Sequence, residues 1–409
     1  MDAFTIFFLS YMFIGLYLMI LLLIAYLKNF SIIYENPIPN KLYEVTAIVP
    51  VYNKGNVIIQ TLDAIKNIDY AGLKKIIIVD DNSTDDSYEK IKENIKDNSK
   101  FIVVRTPKNT GCAGGAINYG MQFAKTEIVA VIDSDSMPRK DSISKMVGYF
   151  NESNTGSVTS SILVENRNKF FCMAQSLEYK VIAFTRKLLG YMDAIYVCPG
   201  PLALYRKSVL DKIGGFDEKN MTEDIEMSWR IAYHGYGREM ALDAQVYTFV
   251  PEKFKEWIRQ RVRWNLGGFQ TIYQYRKTIF KKNILGLFII PYFVSSMLIG
   301  LAGLLILTYR LIKGFIVDYW IVRYSLPGEA ANNLFGNINL TPSIVNIYGV
   351  VMFLIGLMFT LFALSKIRED GYKKANVFNL SFYLLIYLMI YPFLMIYSFY
   401  KLIRKNYSW

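Results

Sequence analysis

The sequence predicts an α/β domain with a parallel, doubly wound sheet, joined to an α-helical transmembrane region. Over residues 45–132, short apolar runs rich in Val and Ile alternate with helical segments. Such alternation with short links is typical of parallel sheets with right-handed crossovers. One apolar run near the start of the chain and three in its last third are each long enough to cross a hydrocarbon core of about 30 Å.

Composition and charge agree with a soluble domain attached to a membrane. The chain has 409 residues, of which 53% are hydrophobic, and a net charge of +12. This charge suits anionic lipid head groups or phosphorylated substrates. No Lys/Arg-rich block suited to nucleic acid is present in the sequence, so nucleic acid is not an expected partner. Three cysteines without close spacing exclude a disulfide framework and a zinc site. Because His234 is the one histidine, we expect an enzymatic base to be a carboxylate.

The first apolar run, residues 4–27, predicts a retained membrane anchor. It follows Asp2 rather than a basic cluster, and no Ala-x-Ala cleavage site comes after it, which argues against a signal peptide. We therefore expect the chain to have four parts. They are an anchor over residues 1–28, a cytoplasmic catalytic domain over residues 29–250, amphipathic interface helices over residues 251–283 and a transmembrane region of about three helices over residues 284–409.

The last third of the chain carries three apolar runs of spanning length. They cover residues 284–309, 344–365 and 377–400. A mixed linker over residues 310–342 separates the first two, and its Trp320 and Tyr324 suit a path along the membrane interface. With the anchor, this makes about four crossings.

Basic residues near the last run leave the orientation open. The loop before that run contains Lys366, Arg368, Lys373 and Lys374. The positive-inside rule places this loop in the cytoplasm, together with the catalytic domain. Four crossings then put the basic tail outside, against the rule; its residues are Lys401, Arg404 and Lys405. Either one run does not cross or the tail is an exception.

Two carboxylates, Asp133 and Asp135, follow the fourth predicted strand of the catalytic domain. The strands are predicted at residues 45–50, 76–79, 101–104 and 128–132, with helices at 56–67, 86–96 and 113–124. Ligands of parallel sheets bind beyond the carboxyl ends of the strands, and residues two apart on an extended chain point the same way. Two like charges this close favour a cation, so we expect a divalent metal that carries a phosphorylated ligand. The alternative is a solvated Asp-Ser turn that caps the next helix.

Asp80 and Asp81 follow the second predicted strand and are expected at the same edge of the sheet. A carboxylate in this place suits the ring N–H of a base or the hydroxyls of a ribose. The alternative is an N-capping turn formed by Asp, Asn and Ser. Two acidic strand ends at one edge favour a nucleotide site.

Another acidic segment, Thr222-Glu223-Asp224, opens a predicted helix over residues 225–233. Thr222 suits the N-cap, and the positive end of the helix dipole stabilises carboxylates in the first turn. The segment is explained completely as a well-capped helix. The functional alternative makes one carboxylate the general base that takes a proton from an acceptor hydroxyl.

Gln260, Arg263 and Trp264 share one face of a predicted helix over residues 254–275, because their spacing is i, i+3, i+4. The guanidinium suits a diphosphate leaving group, and the indole suits stacking on a sugar ring. Arg261 and Val262 are expected to point elsewhere. A basic amphipathic helix on the membrane surface is a second interpretation, compatible with the first.

Together these motifs resemble the membrane-integrated processive enzymes of glycosyltransferase family 2, the synthases of cellulose, chitin, hyaluronan and poly-N-acetylglucosamine. The motifs are Val79-Asp80-Asp81-Asn82-Ser83-Thr84-Asp85, Asp133-Ser134-Asp135, Thr222-Glu223-Asp224 and Gln260-x-x-Arg263-Trp264. The resemblance covers residues 45–275 and implies a GT-A fold, a Rossmann-like nucleotide-sugar domain with a mixed, mainly parallel sheet.

The resemblance also implies a role for each matching residue. Asp81 would contact uracil with Tyr52 near the base, and Asp133 and Asp135 would hold Mg²⁺ or Mn²⁺ with the donor diphosphate. Asp224 would be the catalytic base, with Glu223 beside it in the substrate site. The remaining substrate-binding residues, for the diphosphate and the acceptor sugar, would be Gln260, Arg263 and Trp264.

The activity that the resemblance implies is an inverting transfer from a nucleotide sugar, expected to be UDP-linked, to a growing polysaccharide. The expected place is the plasma membrane, with a multi-pass chain and a cytoplasmic catalytic domain. The expected partners are the donor, a polysaccharide or lipid-linked acceptor, and membrane lipids. The alternative is a transferase that adds a single sugar to a polyprenyl phosphate or another lipid.

Two positions depart from the family pattern. Lys54 stands where such enzymes usually have Glu, and Cys112 stands where they usually have Lys. Both departures concern the donor side of the site, so the sequence leaves the donor nucleotide and sugar open.

Overall fold

A computed structural model of the chain describes residues 3–281, 283–324, 344–369 and 375–404. It begins with the helix α1 (Ala3–Asn29). An α/β domain follows, and it ends in the long helix α9 (Phe254–Tyr275). Its strands are β1 (Val45–Val51), β2 (Leu73–Asp80), β3 (Phe101–Arg105), β4 (Ile128–Val131), β5 (Ser136–Pro138), β6 (Thr155–Val164), β7 (Ala203–Arg206) and β8 (Gly237–Thr248). Its other helices are α2 (Ile58–Lys66), α3 (Ser87–Ile95), α4 (Ala113–Met121), α5 (Ser142–Val147), α6 (Phe170–Gly190), α7 (Lys207–Ile213) and α8 (Glu223–Tyr233).

The eight strands form one mixed sheet in the order β3-β2-β1-β4-β7-β6-β8-β5. The first four strands, which the sequence predicted, are parallel to one another. Beyond β4 the chain adds antiparallel pairs, β4 with β7, β7 with β6 and β8 with β5, and one parallel pair, β6 with β8. The mixed, mainly parallel sheet expected from the resemblance is therefore confirmed.

Both faces of the parallel half are covered by helices, which explains why its strands are apolar throughout. Every residue of β1 is buried. Ile48 faces the core that includes Ile117 of α4, whereas its neighbour Ala47 faces the core that includes Leu62 of α2. Alternate residues of a strand point to opposite faces, so a strand covered on both sides has no polar face.

The last part of the described chain is helical. It contains α10 (Ile290–Tyr324), α11 (Ile344–Lys366), α12 (Val377–Phe382) and α13 (Leu388–Ile403). One π-turn precedes α10, and a second joins α12 to α13, so that Val377–Ile403 is one continuous helix, here called the terminal helix. Among the described residues, four helices are long and apolar enough to cross a membrane: Ile6–Asn29, Leu285–Val317, Ile347–Lys366 and Val377–Ile403.

One expectation about this region was wrong. Trp320 and Tyr324 do not lie in a linker, because α10 continues without a break to Tyr324. The arginine at position 310, which ends the strictly apolar stretch, belongs to a residue type that forms helices as well as Leu and does not stop the helix. The rest of that linker, residues 325–342, lies outside the described residues, as do Lys373, Lys374 and Lys405.

The end of α11 is fastened to the catalytic domain by polar contacts. The Tyr34 hydroxyl donates to the Lys366 carbonyl at 2.7 Å. Just beyond α11, Glu369 pairs with Lys180 at 2.6 Å and with Arg167. The carboxylate of Glu369 is nearly inaccessible, so removal of either cation would leave a buried charge poorly compensated.

Candidate active site

A cavity of about 470 Å³ opens at the carboxyl ends of β1, β2 and β4. These ends are adjacent because β1 pairs with β2 on one side and with β4 on the other. The cavity wall contains eight of the residues that the sequence singled out: Tyr52, Asp81, Asp133, Asp135, Glu223, Asp224, Arg263 and Trp264. Gln260 is not part of the wall that the structure describes.

Asp133 and Asp135 project from the turn that follows β4. The Asp133 amide donates to the Gly200 carbonyl at 3.0 Å, which fixes the backbone of the turn. A Cβ on Gly200 would lie only 2.4 Å from Asp133 Oδ1, so only glycine leaves room for this carboxylate. Asp135 Oδ2 accepts from Lys54 Nζ at 2.8 Å. The two carboxylates are thus brought together at the cavity, one held by close packing and the other by an ion pair.

The start of α8 supplies the second pair of carboxylates. Thr222 takes the N-cap position, but its hydroxyl makes no capping hydrogen bond. The side chain instead lies against α9, where a Cβ on Gly267 would be 1.9 Å from Thr222 Oγ1. Asp224 Oδ1 accepts from the amide of Ile225 at 2.8 Å. This close packing of α9 on the start of α8 brings Glu223 and Asp224 opposite the cationic face of α9.

The charges in the cavity act on one another. Burial, followed by the charge of Asp135, holds the pKa of Asp133 well above its ordinary value. Burial also raises the pKa of Asp224, although Arg263 opposes the change. Burial and the charge of Asp224 raise the pKa of Glu223 to about 7. Such a crowd of acidic groups favours a bound cation, whether a proton or a metal ion.

The carboxylate of Asp81 is hydrogen-bonded to other residues of the protein. Its carboxylate accepts from Thr106 Oγ1 at 2.9 Å and from Thr110 Oγ1 at 2.8 Å. The amide of Thr110 also donates to it, at 3.0 Å. These bonds fasten the loop after β3 to the end of β2, while Tyr52 stands at the cavity rim with 47% of its surface exposed.

On α9, Arg263 and Trp264 face the cavity and Arg261 supports them from behind. Arg263 Nη1 donates to the Met221 carbonyl at 3.2 Å, next to the acidic start of α8. The buried guanidinium of Arg261 lies 3.9 Å from the centre of the Trp264 ring. Its Nη1 donates to Gln260 Oε1 at 3.1 Å, which draws that amide away from the cavity.

Sequence reasoning placed Arg261 away from the site and gave Lys54 no role. Arg261 does point away from the cavity, but it contacts both Gln260 and Trp264. The sequence did contain an indication of this role, because a second arginine stands directly after Gln260 within the motif. Buried arginines are usually paired, and here Glu178 Oε2 accepts from Arg261 Nη2 at 2.5 Å. Lys54 was noted only as a departure from a pattern. The signal that could have found it is its place after β1, since parallel pairing of β1 with β4 brings it to the strand end that carries Asp133 and Asp135.

The cavity supplies the protein part of a shell around a divalent cation. No group of three or more His, Cys, Asp or Glu side chains with the spacing of a metal site occurs in the described part of the chain. Asp133 and Asp135 supply carboxylate oxygens, which Mg²⁺ and Mn²⁺ prefer. Because Mg²⁺ sites typically take one or two carboxylates and complete the shell with water and substrate phosphates, two carboxylates are sufficient from the protein.

Comparison with known proteins gives three findings. Residues 46–214 match the family model described as glycosyl transferase family 2. A poly-beta-1,6-N-acetyl-D-glucosamine synthase of Staphylococcus epidermidis is 27% identical over 361 residues, which are 87% of this chain and 82% of the relative. The synthase of the same name from Staphylococcus aureus strain MSSA476 is 30% identical over 235 residues, which are 57% of this chain and 56% of the relative.

One solved structure is similar over most of the chain. It is the mannosyltransferase PcManGT from Pyrobaculum calidifontis in complex with GDP-Man and Mn²⁺, with a TM-score of 0.58 and 20% identity. The similarity covers 89% of this chain and 99% of the mannosyltransferase. At this identity it shows a shared GT-A fold.

The raised pKa of Glu223 predicts a pH-dependent stability. The ordinary pKa of 4.5 is raised to about 7 in the folded chain, first by burial and then by Asp224. The folded state therefore binds this proton more tightly. The contribution of Glu223 to the free energy of unfolding is fully present below pH 4.5 and is lost as the pH rises through about 7, by about 1.4 kcal/mol for each unit of difference at most. We expect Glu223→Gln to flatten this decline. The measurement is the melting temperature of the detergent-solubilised protein between pH 4.5 and 7.5, without added metal.

The matched control is Glu89→Gln, on the exposed side of α3. It should leave the pH profile of the melting temperature as in the unaltered chain. Parallel profiles for the unaltered chain and Glu223→Gln would show that Glu223 does not bind the proton in question.

Proposed function

We propose that this chain, whose residues 46–214 match the family model of glycosyl transferase family 2, is a membrane polysaccharide synthase. It would extend a polymer of N-acetylglucosamine from a UDP-linked donor, with inversion at the anomeric carbon. The observation that carries the proposal is the cavity in which Asp133, Asp135, Asp224 and Arg263 converge. The names of the two staphylococcal synthases support the polymer and the sugar. The four apolar helices support a membrane protein with several crossings. Its proposed place is the plasma membrane, with the catalytic domain in the cytoplasm.

The donor would lie across the carboxyl ends of β1, β2 and β4. Tyr52 and Asp81 line the end of the cavity suited to the base, while Asp133 and Asp135 line the part suited to the diphosphate. Those two carboxylates would hold Mg²⁺ or Mn²⁺, as supported by the carboxylate donor set and by the Mn²⁺ named for the mannosyltransferase of Pyrobaculum calidifontis. When bound, such an ion stabilises negative charge on the departing diphosphate.

The acceptor would approach from the side of α8 and α9. Trp264 offers an indole face for a sugar ring. Asp224 would accept the proton of the acceptor hydroxyl while that oxygen bonds to the anomeric carbon. At the same time the bond from this carbon to the diphosphate oxygen breaks, and the electron pair leaves with the nucleoside diphosphate. Attack from the face opposite the leaving group gives a β-linkage from an α-linked donor.

Arg263 would act on the leaving group. It is the cation of α9 that faces the cavity, and a guanidinium binds diphosphate oxygens with two parallel hydrogen bonds. Donors placed where charge develops lower the barrier because they need no reorganisation during the reaction. The position of Arg263 next to Asp224 also lowers the pKa of that base, against the effect of burial.

Product size tests the proposed function. Membranes that contain the chain are incubated with labelled UDP-N-acetylglucosamine, UDP-glucose and GDP-mannose, one at a time. We expect high-molecular-weight label with UDP-N-acetylglucosamine. Label that is extracted entirely into organic solvent would instead identify a transferase that adds one sugar to a lipid, and would overturn the proposal of a polymer.

Removing the proposed base should abolish transfer. We expect Asp224→Asn to lower the rate at least 10²-fold, within the range typical of a lost general base. Binding of UDP, measured by calorimetry, should persist because the β-strand ends are unchanged. The control is Asp211→Asn, an exposed carboxylate of α7 that pairs with Lys207. Unchanged turnover in Asp224→Asn would remove this residue from the mechanism.

Removing divalent metal should also stop the reaction. We expect EDTA to abolish incorporation and an excess of Mg²⁺ or Mn²⁺ to restore it. Asp135→Asn should weaken the binding of Mn²⁺, measured by electron paramagnetic resonance in the presence of UDP. Full activity in the chelator would contradict the metal role of Asp133 and Asp135.

A further inference from the structure

The terminal helix contacts the catalytic domain along its whole length. Near its start, the rings of Phe378 and Phe170 lie 5.3 Å apart. In its middle, Tyr387 accepts from Trp257 Nε1 at 2.8 Å. Near its end, the Ser398 hydroxyl accepts from the Asn265 side chain at 3.2 Å. At a rise of about 1.5 Å per residue, contacts from Phe378 to Leu402 extend over about 36 Å of helix.

The contacts show that the terminal helix and α9 run side by side in the same direction. Tyr387 lies against Trp257 and Phe399 lies against Phe269, at ring distances of 5.0 Å and 5.9 Å. The contact point thus advances by twelve residues on each helix. The terminal helix therefore lies lengthwise on α9.

The other three apolar helices meet the catalytic domain differently. In α1 the residues that join its core are Leu22, Ala25 and Tyr26, near the end of the helix. In α11 they lie between residues 359 and 367, and in α10 and the turn before it they lie between residues 284 and 294. Farther out these helices contact one another, as where Gly303 of α10 faces Tyr11. Each of the three touches the domain at one end, as expected of a helix that leads away from it across a membrane.

The charges of α9 fix the level at which the terminal helix lies. Arg259 is exposed on α9, and charged side chains at the centre of a bilayer are costly. The middle of the terminal helix is also bound to a buried charge, because Tyr387 donates to Glu178 at 2.7 Å and Tyr391 donates to the same carboxylate. A crossing helix would carry this carboxylate and its partner Arg261 into the centre of the bilayer.

The opposite face of the terminal helix is an exposed apolar stripe. Leu385 begins the stripe, and the residues after it recur every three or four positions: Ile386, Met389, Phe393, Ile396, Tyr400 and Ile403. At its end, Lys401 and Arg404 lie over the rings of Tyr397 and Tyr400. Apolar side chains bordered by tyrosines and basic groups suit the boundary between acyl chains and anionic head groups. Beside the stripe, α10 packs against the terminal helix, because a Cβ on Gly300 would lie 3.8 Å from the Pro392 ring.

We propose that the terminal helix lies in the membrane interface on the side of the catalytic domain and does not cross the bilayer. Of the described helices, α1, α10 and α11 then cross, and the chain end returns to the catalytic side. Lys401 and Arg404 share that side with Lys366 and Arg368, in agreement with the positive-inside rule. The inference concerns topology and does not depend on the transferred sugar.

Cysteine labelling tests the proposal in the full-length chain. Lys401→Cys, Lys92→Cys on the exposed side of α3 and Tyr319→Cys near the far end of α10 are treated with a membrane-impermeant maleimide, in intact and in permeabilised cells. Lys401→Cys and Lys92→Cys should be labelled only after permeabilisation, and Tyr319→Cys also in intact cells. The unaltered chain gives the background, which should be low because Cys112, Cys172 and Cys198 are buried.

The labelling distinguishes the position of the terminal helix from the side of the membrane on which the catalytic domain lies. Label on Lys401→Cys but not on Lys92→Cys in intact cells would overturn the interfacial helix. Label on both in intact cells would support a shared side and contradict the cytoplasmic catalytic domain. As a second measurement, nitroxides at Leu385→Cys, Phe393→Cys and Ile403→Cys should report similar, shallow depths in lipid. A deep position at Phe393 between two shallow ones would show a crossing helix.

Discussion

Repulsion among four carboxylates is the constraint that the rest of the structure must satisfy. Asp133 and Asp135 come from the end of β4, and Glu223 and Asp224 come from the start of α8, yet all four line one cavity. Burial and mutual charge make the ionised forms costly, as the raised pKa of Asp133 shows. The cations that offset this cost come from other elements, Lys54 from the end of β1 and Arg263 from α9. The electrostatic balance of the cavity therefore depends on how β1, β4, α8 and α9 are packed.

This electrostatic balance depends on the position of α9, which contacts both the acidic start of α8 and the terminal helix. On its inner side, Gly267 allows contact with Thr222 and so sets the distance between α9 and the acidic start of α8. On its outer side, Arg261 is joined to Glu178 of α6 and lies close to the Tyr387 hydroxyl of the terminal helix, at 3.5 Å. The same guanidinium lies against Trp264 in the cavity wall. Only Arg261 and Trp264 thus lie between Tyr387 of the terminal helix and the cavity.

The sequence revealed the parts of the fold and the site that depend on local pattern. The strands β1 to β4 are apolar runs ended by polar residues, and Asp81, Asp133 and Asp135 were placed at one edge because parallel strands end together. By contrast β6 was not predicted, since Ser160 and Ser161 interrupt its apolar residues. They are buried in the sheet since their hydroxyls donate to the carbonyls of Leu202 and Leu242, which lie 42 and 81 residues away along the chain.

On α9, helical spacing predicted less than the full geometry. It placed Gln260, Arg263 and Trp264 on one face, but spacing does not predict the hydrogen-bond partner of each side chain. Gln260 bonds to Arg261, one position along the same helix, and does not line the described cavity wall. The lengthwise packing of the terminal helix was equally invisible, because an apolar run of spanning length reads the same whether it enters a bilayer or lies on a protein surface.

The ion pair between Lys54 and Asp135 has a consequence for charge balance during the proposed reaction cycle. The cavity holds a positive charge, that of Lys54, at 2.8 Å from the carboxylate that would receive a metal ion. If a divalent ion entered with the donor, Asp135 would face two positive charges in place of one, a net gain of one. The Lys54 ammonium would remain beyond the end of β1, in the wall of the same cavity. Between turnovers Lys54 would again offset part of the negative charge of the carboxylates.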